Sequence, residues 1–114
     1  MRLKTLLENK EIELVDVETA IENTLSDIFN GELIDVESKF QGLKAKVEIE
    51  LDADTIDHDI TDSYLINLGK RIKSISRDYL RDETGNDKAF VSKISTNVES
   101  IDLGSITLIV DFPI

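Results

Sequence analysis

Between Leu43 and Asp62 the chain reads LKAKVEIELDADTIDHDITD, and its first half alternates without a break. Leu43, Ala45, Val47, Ile49 and Leu51 fall on one side, and Lys44, Lys46, Glu48, Glu50 and Asp52 on the other. A period of two sustained over this length predicts a strand with one face on a core and one face in water. The second half is a run of acid. Asp52, Asp54, Asp57, Asp59 and Asp62 crowd around His58, the only histidine of the chain.

The flanking segments supply the partners such a strand needs. Val17, Ala20, Ile21, Thr24, Leu25, Ile28 and Phe29 recur at three- and four-residue spacing, which predicts an amphipathic helix stopping at Asn30-Gly31. Asp16 is placed to cap it, and Glu18, Glu22 and Asp27 make its outer face acidic. Leu33–Phe40 reads as a strand with Ile34, Val36 and Phe40 on one face, joined to the Leu43 strand through Gln41-Gly42.

A second helix is predicted from about Thr61 to Leu80. Its apolar stripe is Tyr64, Leu65, Leu68, Ile72, Ile75 and Tyr79. Asp59, Thr61 or Asp62 caps it, and residues 82–86 close it. Lys88–Val98 and Ser105–Phe112 read as a final hairpin turned near Asp102-Leu103-Gly104. Ile109, on the outer side of the last strand, places that strand inside the sheet or under cover.

The resulting order is α-β-β-α-β-β. It predicts a two-layer α+β domain spanning residues 1–114, with two helices on one face of a four- to five-stranded, mainly antiparallel sheet. A short helix over Arg2–Asn9 and a short strand over Ile12–Val15 are also expected, and residues 1–15 read as a loosely attached segment. With that strand the middle of the chain acquires the ferredoxin-like order with one strand extra. The halves share an outline, a helix and then two strands, without any residue-level repeat.

Charge and composition restrict function further. Hydrophobic residues make up 40% of the 114, enough for a core. Without cysteine there are no disulfides or thiolate metal sites, and a cytoplasmic setting is expected. No apolar run suits a signal peptide or a membrane span. The net charge is −11, and it is lopsided: residues 1–62 hold 17 acids against six bases, and residues 63–114 hold seven of each. That field disfavours direct binding of nucleic acid or anionic membrane and favours a basic partner.

Four features carry candidate chemistry. The acidic run offers Asp52, Asp54, Asp57 and Asp59 to a divalent cation, yet it fails the calcium-loop pattern. Counted from Asp52, position 5 is Ile56, position 6 is Asp57 and position 12 is Ser63. His58 beside Asp57 and Asp59 is the one acid–base candidate, and aspartates beside a histidine are unremarkable in so acidic a chain. No cysteine nucleophile, glycine-rich phosphate loop or nucleophile elbow accompanies it, so no catalytic residue, enzymatic activity or cofactor is expected. Lys70, Arg71, Lys73, Arg77 and Arg81 load the second helix with positive charge and offer a seat to phosphate or an acidic partner, although the helix dipole and nearby acids already accommodate them.

The fourth feature is the acidic surface itself. Glu18, Glu22, Glu48, Glu50, Asp52 and Asp54 are the expected partner-binding residues. The reading is an acidic interaction protein that docks on a basic protein. In its sharp form it is a nucleic-acid mimic that inhibits a DNA- or RNA-binding enzyme, of the kind carried by phages and mobile elements. The second reading is a structural subunit of a virion or other assembly, a homo-oligomer joined through sheet edges near Leu33–Phe40 or Ile106–Phe112. The third is a divalent-metal-binding domain.

Overall fold

The structure, a computed structural model, describes residues 12–29 and 34–113. Helix α1 spans Leu14–Phe29, strands β1 and β2 span Asp35–Gln41 and Lys44–Asp52, and a single turn, α2, covers Ala53–Ile56. Helix α3 (Asp62–Thr84) and strands β3 (Phe90–Val98) and β4 (Leu103–Asp111) complete the order. The fold is α+β, helices packed on a four-stranded antiparallel sheet in the order β1-β2-β4-β3. The two α-β-β halves are related in topology by a half-turn about an axis normal to the sheet. β2 and β4 meet at that axis, Val47 opposite Leu108.

The alternation of β2 is the alternation of the sheet. Ala45, Val47, Ile49 and Leu51 are buried on the inner face, and Ile106, Leu108 and Val110 of β4 lie beside them. Val17, Ala20, Ile21 and Leu25 of α1 and Leu65, Leu68, Ile72 and Leu80 of α3 close the core from above. Burial of each large aliphatic side chain stabilises the fold by about 1.5–3 kcal/mol. α1 lies over β1 and against α3, and α3 lies over β3. Tyr79 of α3 donates its hydroxyl to Asp27 of α1 at 2.6 Å, marking the flank where the helices meet.

Several local expectations are corrected. Ile12 and Glu13 are not in a strand, and Leu14 and Val15 already belong to α1. The ferredoxin-like alternative therefore falls, because apolar Ile12 and Leu14 pack on the core as the lead-in to a helix. Asp16 lies within the first turn, complementing the dipole instead of capping the end. The expected helix over Arg2–Asn9 lies outside the described residues.

The first hairpin turns through Gly42-Leu43, with Gln41 opposite Lys44. Gly42 takes φ 63°, which such a two-residue turn requires. Leu43 leaves the strand and is 86% exposed. The last hairpin turns through residues 99–102, two to three residues earlier than expected, where Ser100 Oγ accepts from the amides of Asp102 and Leu103 at 3.2 Å each.

Gly104 is thereby inside β4, where it serves packing. A Cβ there would lie 2.6 Å from Ile60 Cγ2 and 3.0 Å from the Asn97 carbonyl oxygen. Gly69 lets α3 seat on β3, since a Cβ would meet Ile94 Cγ2 at 2.9 Å. Ser76 and Leu80 are buried along with Leu65, Leu68 and Ile72, while Tyr64, Ile75 and Tyr79 are half-buried. α3 starts at Thr61, whose hydroxyl accepts from the Tyr64 amide at 3.1 Å, and ends at Gly85 with φ 74°.

Gly104→Ala is expected to lower stability by about 1–3 kcal/mol in urea unfolding, since the backbone of Asn97 cannot give way. Gly69→Ala should cost less, because alanine favours a helix by about 1 kcal/mol and the obstacle is a side chain. Equal tolerance of both would contradict this packing.

The Tyr79 phenol is held above the 10.0 of free tyrosine, first by its bond to Asp27, then by burial and the Asp27 charge. The neutral phenol is the donor. Its contribution is therefore complete below the unfolded-state value and is lost as pH rises through the higher folded-state value. Tyr64→Phe leaves Tyr79 as the sole reporter. Its ultraviolet titration should then lie above free tyrosine, and Asp27→Asn should move it back down.

Candidate interaction surfaces

The outer face of the sheet stays open among the described residues, and the strand register decides what stands together on it. Asp35 is directly opposite Glu50, and Glu37 is directly opposite Glu48. Neighbouring strands are about 4.8 Å apart and alternate residues along a strand about 6.8 Å apart, so these four carboxylates form a compact block. Asp52 extends it along β2. Like charges directly opposite each other destabilise a strand pair. No ion pair joins these acids to a base within 4 Å among the described residues, where the salt bridge found is Lys44–Asp111 at 3.6 Å.

Towards the Gly42 turn the sign reverses. Lys39 is opposite Lys46, and Lys44 lies next along β2. A shallow depression of about 170 Å³ marks the boundary, ringed by Glu37, Ser38, Lys39, Lys46 and Glu48. The open face is thus divided into an acidic end and a basic end.

The six expected partner-binding residues are not brought to one place. Glu48, Glu50 and Asp52 share the open face. Glu18 and Glu22 stand on α1 in the helix layer on the opposite side, Glu18 accepting from Ser38 Oγ of β1. Asp54 sits in α2. Asp35 and Glu37, which complete the block, were not among the expected six. Their signal was the hairpin register, which follows only once the turn is placed at Gly42-Leu43.

The acidic run resolves into local roles. Asp52 Oδ1 accepts from the Asp54 amide at 2.8 Å and starts α2. Asp57, at φ 55°, ends it by donating its amide to the Ala53 carbonyl. Among the described residues, no three histidine or carboxylate groups gather as a metal site. His58 is exposed, and its ring stacks on Tyr64 with centroids 3.9 Å apart. Its Nδ1 lies 2.6 Å from the Asp59 carbonyl oxygen, a backbone contact and not a carboxylate one.

The cations of α3 are arranged by side. Helical spacing puts Lys70, Lys73 and Arg77 on the flank away from Tyr79 and α1. With Ser74, Arg81, Phe90 and Val91 they line a groove of about 420 Å³ between α3 and the start of β3. Arg81 is anchored there, its Nε donating to the Ala89 carbonyl at 3.1 Å.

No family model, curated protein or solved structure matches this chain. No helix among the described residues is long and apolar enough to cross a membrane.

Glu50→Lys converts the Asp35–Glu50 opposition into an attractive pair. It should raise stability by about 0.2–1 kcal/mol, with the gain shrinking as salt is added. Chemical denaturation at low and high salt measures this, and a loss of stability at low salt would contradict the register.

Proposed function

We propose that this chain is a non-enzymatic interaction module that docks on a basic protein through the acidic end of its open sheet face. The observation that supports this reading is the double opposition of Asp35 to Glu50 and Glu37 to Glu48. The isolated chain holds these charges together against their repulsion, and a cationic partner relieves it. Two rows of carboxylates on a rigid sheet also present regularly spaced negative charge to a groove built for a phosphate backbone. The partner in the sharpest form is therefore a DNA- or RNA-binding enzyme, held inhibited by a mimic of phage or mobile-element type. The absence of cysteine is consistent with a cytoplasmic setting for this encounter.

The test is affinity capture on the immobilised chain at low salt, elution with salt, and identification by mass spectrometry. Competition for the eluted protein's nucleic-acid binding then follows. Glu37→Gln/Glu48→Gln/Glu50→Gln should abolish both capture and competition, while the α1 variant Glu18→Gln/Glu22→Gln retains them. Asp52 is left intact because it starts α2. Full capture by the triple variant would refute the site.

A further inference from the structure

Among the described residues, β1 and β3 are the edge strands of the sheet, and the helix beside each carries charge of opposite sign. At the β1 edge, Glu18 reaches Ser38 of β1, and Glu22 lies one turn further along the same flank of α1. At the β3 edge, Lys70, Lys73 and Arg77 line the groove between α3 and β3. We propose that copies of this chain associate head to tail, the acidic α1–β1 flank of one seating in the basic α3–β3 groove of the next.

The strand directions suit this arrangement. Every neighbouring pair in the order β1-β2-β4-β3 is antiparallel, so β1 and β3 run in opposite senses. A β1 edge repeated beside β3 continues the antiparallel sheet, and it brings the α1 layer of one copy alongside the α3 layer of the other. Main-chain pairing supplies contact without preference for a partner. The helix-layer charges supply the preference. β1 against β1 would face Glu18 and Glu22 with themselves, and β3 against β3 would face the three cations with themselves. Only the unlike pairing is attractive, and it is heterologous, so it propagates instead of closing at a dimer.

Two features limit the contact. Ser92 forms a bulge in β3, where the register shifts between Val91 and Lys93, and its Oγ donates to Asp111 Oδ1 at 2.8 Å. The regular pairing segment of that edge is therefore Lys93–Val98. The net charge of −11 opposes association at long range. At physiological salt the screening length is about 8 Å, so the facing side chains decide the outcome.

Sedimentation velocity of the full chain at physiological salt and rising concentration tests the proposal. The wild type should form a growing series of species. Lys70→Gln/Lys73→Gln/Arg77→Gln and Glu18→Gln/Glu22→Gln should each run as monomers. Their equimolar mixture should give a one-to-one dimer and nothing larger, because one intact flank and one intact groove remain. Unchanged thermal melting establishes that each variant is folded, and Glu22→Gln alone replaces the double variant if losing the Glu18–Ser38 bond lowers melting. A wild type that stays monomeric to its solubility limit would overturn the proposal. So would a dimer that persists in both variants, or a mixture that stays monomeric.

Discussion

The antiparallel pairing of β2 with β4 is the constraint on which the rest of this molecule depends. It sets Ala45, Val47, Ile49 and Leu51 beside Ile106, Leu108 and Val110 as one apolar floor. Helices α1 and α3 rest on that floor, and each outer strand hangs on one of the two central ones. The side-chain period of a strand is two, so the same pairing fixes the opposite face without further freedom. A slip of one residue would drive Lys46 and Glu48 into the core, which the burial of charge forbids. The charge pattern of the open face is thus a by-product of core packing, held as rigidly as the core.

That coupling explains how an unfavourable arrangement persists. Asp35, Glu37, Glu48 and Glu50 repel one another, by tenths of a kilocalorie per mole to about 1 kcal/mol per opposed pair. The apolar residues beneath them contribute several times as much. The fold therefore carries a patch of unrelieved negative charge, and relief from outside is available to whatever brings cations. The helix layer has the complementary property. Its acids lie over β1 and its groove-lining bases over β3, so the molecule is polarised across the sheet as well as along the open face.

Much of this was legible in the sequence, and the misses have physical causes. The strict alternation of residues 43–52 and the stripes of both helices required no tertiary information. Gly104 was misread as a turn residue because a glycine that admits Ile60 is indistinguishable in sequence from one that bends the chain. The stripe read for α3 left out Leu80 and Ser76, because Ser76 is buried for its small size, which hydrophobic spacing does not register. Ile12–Val15 alternates over too few residues to separate a strand from the start of a helix. Ile106–Phe112 was named as an edge, yet β4 is central, as apolar Ile109 on its outer side had suggested, and the second edge is β3. The candidate surface was only half legible: Glu48, Glu50 and Asp52 follow from one strand, whereas Asp35 and Glu37 join them only through register. Glu18 and Glu22 resemble them in charge but stand on the other side of the sheet.

If a basic partner docks as proposed, it is drawn first to the open face of β1 and β2 and not to α1. Amide chemical-shift mapping during titration with a short lysine-rich peptide separates the two surfaces. Shifts concentrated at Asp35–Glu37 and Glu48–Asp52 that vanish at high salt are the expected result. Shifts centred on Glu18 and Glu22, or spread evenly over every acidic residue, would contradict it.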